Sequence, residues 1–453
     1  MRRLVLLCGM LACALVNGAI AGPQFQLRKS PGGIPFYYLH RADDAKALLA
    51  FGWRDGYAAS APGMDGLRQM GPEALLLGPR SMSEGEMIET LNDLHADADL
   101  SSDMVYTSGS VEAPPDKLAA AMALVTSAIV DPGLREKGLL RLKKQLRDNA
   151  RASEANGESL ALRVAVAAGL ADHPFARGLD AAIYEVITRD DIETWRHNVF
   201  ARDNLTIAAS GALDQAAFGA MIDSAFAALP EKSQLAPPHW PAIAIRARTI
   251  VFEKATPQTI VVMIGATSVR AGPQVSKDNI ANMTLGASSG SRLSEAVRAR
   301  LGAAYGVSSR IMMLQPDQRL LVISTALSPD RALPALAAMR RVYADWRRDG
   351  VAENEFAPNR TRYVNQFEAG LERPGGAAKS LIEFAGVGLA NDAVELLATL
   401  DERVGAYTLA DVNGAITRQF PDPPLLTVIV APSADGFSAD CVIHAIGEAK
   451  NCR

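Results

Sequence analysis

The sequence predicts an α+β protein assembled from two copies of one unit. Three observations carry that reading. The second half echoes the first at a period of roughly 220 residues. Thr188-Arg-Asp-Asp191-Ile192 with Phe200 is matched by Thr408-Leu-Ala-Asp411-Val412 with Phe420, and Pro115-Asp116 before a run to Met122 is matched by Pro329-Asp330 before a run to Met339. Apolar runs of strand length interleave with longer helical segments, the pattern of helices packed on a sheet face. A polar, proline-rich stretch from Leu229 to Pro241 separates the halves and reads as an extended linker. The expected organisation is a unit over 22–232, a linker over 233–245 and a second unit over 246–453. Each unit is a mainly antiparallel sheet with helices on one face.

The elements follow in chain order. Arg2 and Arg3, an apolar core from Leu4 to Val16 and the A-x-A site Ala19-Ile-Ala21 form a secretory signal over 1–21, so the mature chain is expected to start at Gly22. Leu11-Ala12-Cys13 fits a lipobox poorly. Strands are expected over Ala47–Gly52 and Leu205–Ser210 in the first half. The second half offers Ile250–Phe252, Thr259–Ile264, Leu320–Ala326 and Leu425–Val430. Pro115 and Pro329 each stand between a strand and a helix. Beyond the signal, no stretch is long and apolar enough to span a bilayer.

Composition excludes some classes. Of 453 residues 49 % are apolar, which suits a globular body. The net charge of −4 lacks the basic excess of a nucleic-acid binder. Cys8 and Cys13 leave with the signal, and Cys441 and Cys452 remain. In an oxidising compartment these two could close a small loop. A disulfide is preferred to a metal site, because two cysteines with His444 make a meagre ligand set.

One stretch concentrates chemistry. A turn from Gly286 to Gly290 leads into a short amphipathic helix whose buried face is Leu293, Val297 and Leu301. Arg298 sits beside that face, Gly302 ends the helix, and Tyr305 opens a strand-like run. Arginine and tyrosine can both donate hydrogen bonds to a carbonyl or an oxyanion. The same two residues would also suit a surface ion pair and a core aromatic.

Ser291-Arg-Leu293 through Gly302 and Tyr305 resembles the second-half signature of the pitrilysin/insulinase (inverzincin) zinc peptidases. There it runs Ser-Arg-Leu, then Leu-Arg-Glu-Lys-x-Gly-Leu-x-Tyr. That family binds zinc through H-x-x-E-H in its first half. The matching register here is Gly66-Leu67-Arg68-Gln69-Met70-Gly71-Pro72-Glu73, continuing to Gly78. Gln69 stands at the first histidine, Pro72 at the general base and Glu73 at the second histidine. Pro72 cannot take a proton and is expected to break the helix. The third ligand, a glutamate in the family, falls on Gln145, and His173-Pro174-Phe175 downstream supports that register. His173 itself reads as a turn or packing residue. No histidine stands in an H-x-x-E-H arrangement.

The resemblance implies two such domains forming half of a clam-shaped peptidase, with no cofactor in this chain. It implies a non-catalytic subunit of a heterodimeric periplasmic zinc endopeptidase. Zinc would lie in a partner subunit of the same family, and Arg298 and Tyr305 would act on a peptide substrate in the partner's active site. The alternative is a catalytically inert structural or peptide-binding scaffold subunit. An independent enzyme is disfavoured, since no nucleophile elbow or triad motif is present. The family's Asn-Ala element before the substrate-edge strand is not evident near Ala98-Asp99-Leu100-Ser101.

Overall fold

The β-rich runs pair into two sheets of the same construction. The computed structural model describes residues 22–55, 64–170, 173–177, 181–235, 241, 243–267 and 275–452. The predicted signal over 1–21 and linker residues 236–240 and 242 lie outside the described residues. The first sheet contains β1 (Gln26–Lys29), β2 (Pro35–His40), β3 (Ala47–Trp53), β4 (Asp97–Ser102), β5 (Thr107–Ala113) and β6 (Leu205–Gly211). The second contains β7 (Thr249–Glu253), β8 (Thr259–Thr267), β9 (Val307–Gln315), β10 (Gln318–Leu327), β11 (Leu426–Ala431) and β12 (Cys441–Ile443).

The first sheet is ordered β1-β2-β6-β3-β5-β4 and the second β12-β7-β11-β8-β10-β9. Five strands correspond one to one. β6 runs parallel to β2 as β11 does to β7, and the remaining pairs of those five are antiparallel. The sheets differ at one edge: β1 pairs antiparallel with β2, whereas β12 pairs parallel with β7. The fold is α+β with mainly antiparallel sheets, as the interleaved pattern predicts.

The sequence echo has a local cause. Thr188 and Thr408 each cap a helix, Arg189–Val199 and Leu409–Gln419, in a capping box closed by Asp191 and Asp411. Ile192 and Val412 point into the cores. Phe200 meets Trp195 edge-on at 5.1 Å, and Phe420 meets Trp346 at 4.9 Å. Each repeated phrase is therefore a helix start plus the aromatic that anchors its end.

One expectation needs correction. Helices cover both faces of each sheet rather than one. The first core joins Phe51, Trp53 and Val111 to helices of the same half through Met70, Val125, Trp195 and Phe226. The second core does the same with Val261, Ile323, Met339, Trp346 and Ile416. The remaining faces are covered by the opposite half. Leu160 and Val164, on the helix Gly157–Gly169, pack on Val262, Ile264, Val322 and Val428. Leu381 and Ile382, on the helix Gly376–Phe384, pack on Leu48, Ala50 and Ala208. Every residue of β3 is buried, which only two-sided cover achieves. The crossing helix sits close: a Cβ on Gly157 would lie 2.7 Å from Ile260 Cγ1.

Cys441 and Cys452 are joined by a disulfide, with a Cα–Cα distance of 5.8 Å. The closed loop holds the turn Ile446–Asn451 against the crossing helix, burying Ala449 and Cys452 in that interface. No helix among the described residues is long and apolar enough to cross a membrane.

Candidate functional site

The motif register Gly66–Gly78 forms a helix over Leu67–Leu75. Pro72 lies inside it and does not break it: Met70 N–H donates to Gly66 at 2.9 Å, and Leu76 N–H to Pro72 at 3.3 Å. The expected break is overridden by packing, because Leu67, Met70, Ala74 and Leu75 are all buried in the first core. A proline inside a helix costs about 3 kcal/mol, within reach of several buried side chains. The helix is also held by charge. Arg68 forms a buried ion pair with Asp55, whose other oxygen accepts from Trp195 Nε1 at 2.7 Å and from Thr107 Oγ1 at 3.3 Å.

Gln69 projects from this helix into a cleft of about 270 Å³. Its amide oxygen accepts a hydrogen bond from the Tyr184 hydroxyl. Glu73 is half-buried, and burial raises its carboxyl above the ordinary range. Gln145, on the long helix Glu136–Ala155, is exposed and does not line the cleft; Asn149, one turn on, does. Asn149 lies nearer the buried stripe Leu139, Leu142 and Leu146 than Gln145 does. That stripe is the sequence signal that could have found it. His173 is buried, and its Nδ1 accepts from Phe175 N–H at 3.1 Å.

Arg298 and Tyr305 lie at the other expected site. The turn before the helix is shorter than predicted. Met283–Ala287, including Gly286, is a wide π-type helical segment, and the turn spans 288–290. Gly286 fits there because a Cβ would lie 2.7 Å from Ser309 Oγ. The following helix runs Arg292–Ser294 and widens to a π-type segment over Glu295–Arg300. Leu293 and Val297 are fully buried, while Leu301 is only partly so.

Gly302 takes a φ of 56° and donates its N–H to the Arg298 carbonyl at 3.1 Å. Arg331 ties the helix end down through the carbonyls of Leu301 and Gly302 at 2.7 and 3.1 Å. Arg292 braces the helix start with a two-point contact to Glu355 at 2.8 and 2.6 Å. On this fixed frame Arg298 is exposed and Tyr305 is 95 % exposed. Neither side chain has a hydrogen-bond or ion-pair partner among the described residues.

Residues 187–363 match the Peptidase M16 inactive domain. This segment is similar to the M16 inactive domain, and beyond it the likeness is one of fold. Solved structures share the fold over nearly its whole length. The M16 inactive domain from Pseudomonas fluorescens is 20% identical, with a TM-score of 0.81 over 90% of this chain and 98% of that one. A protease from Helicobacter pylori is 15% identical, with a TM-score of 0.79 over 91% of this chain and 100% of that one. The periplasmic protease PqqL from Escherichia coli is 14% identical, with a TM-score of 0.75 over 91% of this chain but 47% of that one. No curated protein matches the chain by sequence.

The residues at the expected motif positions do not fit a zinc ion. Zinc in proteins takes thiolate, imidazole or carboxylate ligands. Gln69 offers an amide already engaged by Tyr184 and Pro72 offers no donor, which leaves Glu73 as a lone carboxylate. Among the described residues no three His, Cys, Asp or Glu side chains converge on a point that could hold a metal ion. What the fold positions here is a cleft lined by amides, hydroxyls and one guanidinium at one site, and two exposed donors at the other.

Proposed function

We propose that this chain is the non-catalytic subunit of a heterodimeric, periplasmic zinc endopeptidase. In this reading Arg298 and Tyr305 complete the active site of a zinc-bearing partner of the same family. The observation that carries the reading is the contrast between the two sites. The zinc register has lost its ligands, while the Arg298–Tyr305 corner keeps both donors exposed on a braced frame. The metal and the general base belong to the partner. This chain's guanidinium and phenol bind the substrate carbonyl and the negative charge that develops on it, donors that act most strongly where water is excluded. The A-x-A signal and the disulfide support export, and one fold relative is a periplasmic protease.

The test is peptide cleavage and zinc content for this chain, for a partner bearing H-x-x-E-H, and for their mixture. The expected result is a zinc-free, inert chain and a mixture far faster than the partner alone. Arg298→Ala and Tyr305→Phe are each expected to slow the mixture roughly a hundredfold while leaving the complex assembled on a sizing column. If neither change alters cleavage, the role assigned to the pair is wrong. The second reading, an inert peptide-binding scaffold, draws on the cleft beside Gln69. It predicts a stable complex whose turnover ignores both substitutions.

A further inference from the structure

The cleft beside Gln69 has a character of its own. Gln69 and Asn149 bring amides to it, and Ser153 and Ser159 bring hydroxyls. Leu162 and Phe175 form an apolar wall. Among the described residues, the lining contains no carboxylate and one full charge, the guanidinium of Arg163. Arg163 is 9% exposed, and its NH1 donates to Glu154 Oε1 at 2.6 Å. Its Nε is buried and has no hydrogen-bond partner among the described residues. A guanidinium is a planar fork of donors suited to a carboxylate, and a buried donor left unpaired is a cost that a ligand can remove. Glu154 reaches Arg163 from a position 40% exposed, so it is the carboxylate an incoming one would exchange with.

We propose that this cleft binds the C-terminal carboxylate of a peptide. Arg163 takes the charge, the neutral amides and hydroxyls take the last peptide groups, and the apolar wall takes the last side chain. The site therefore selects chain ends by charge where zinc-bearing relatives would perform chemistry. It needs no partner subunit, so this proposal and the heterodimer reading can fail separately.

Calorimetric titration of the full chain tests it, with N-acetyl-Ala-Ala-Leu as the free acid, the same peptide as its C-terminal amide, and acetate. The free acid is expected to bind roughly tenfold tighter than the amide, with acetate far weaker than either. Asn149→Asp changes an exposed residue and puts a carboxylate into the lining, so it is expected to erase the preference for the acid. Arg163→Gln should do the same. Because Arg163 also holds Glu154, Asn149→Asp alone suffices if the arginine variant does not fold. Equal binding of acid and amide, no binding of either, a preference that survives Asn149→Asp, or acetate competing as well as the peptide would each overturn the assignment.

Discussion

Tyr184 donates its hydroxyl hydrogen to the Gln69 amide, at the position the proposed register aligns with a zinc-binding histidine. The surrounding frame is intact, so the ligand set should be restorable. Gln69→His, Pro72→Glu and Glu73→His together with Asn149→Glu are expected to bind about one zinc per chain, measured by elemental analysis after dialysis. The same three changes with Gln145→Glu should not, because Gln145 does not line the cleft. Zinc retained equally by both versions would refute the placement of Asn149. The Asp55–Arg68 pair beneath the helix is a second residue-scale test. Asp55→Ala removes a buried carboxylate partner of Arg68 and is expected to cost about 3–5 kcal/mol in urea unfolding. Which residues occupy the motif could be read in one dimension. That Asn149 and Arg163 join Gln69 could not, because the motif helix and the two consecutive helices that carry them meet only through tertiary packing.

The paired capping boxes are the elements most directly written in the sequence. Thr408→Ala removes the side-chain acceptor for the Asp411 N–H and is expected to cost about 1 kcal/mol. Asp411 itself gives an acid signature. Hydrogen bonds from the Thr408 backbone and hydroxyl, then Lys277, hold its carboxyl down at about 2, against an ordinary 3.8. A carboxyl depressed in the folded state stabilises it fully above its unfolded value. That contribution is lost as pH falls from about 4 toward 2. Urea midpoints measured across that window should fall less steeply in Asp411→Asn than in the parent; identical slopes would contradict the assignment. Strand positions were legible because apolar runs such as Thr259–Ile264 sit between turn residues. The Gly286–Gly290 turn was misread, since Gly286 serves close packing against Ser309 rather than a bend.

At the scale of the molecule, each half completes the other. Without the second half, Leu48, Ala50 and Ala208 lose the cover of Leu381 and Ile382, and the helix Gly157–Gly169 loses its sheet. Residues 22–232 expressed alone are therefore expected to melt without a cooperative transition, and co-expression with residues 246–453 should restore one. A sharp melt of the isolated first half would show that the crossing helices are dispensable. Overpacking probes the same seam. Gly52→Val places its side chain against Ile382 Cγ2, 2.8 Å from the position a Cβ would take, and should cost about 1–3 kcal/mol in a single transition shared by both halves.

The sequence by itself determined the α+β class, the duplication, the loss of a usable zinc ligand set and the Arg298–Tyr305 signature. Each of these depends on residue type at short spacing, where helix and strand periods act directly. Only the tertiary structure decided which helix covers which sheet, that packing carries the motif helix through Pro72, and which side chains converge on the cleft. Those outcomes depend on contacts between segments far apart in the chain. There the burial of a continuous apolar face outweighs local preference, and no local pattern records the partner.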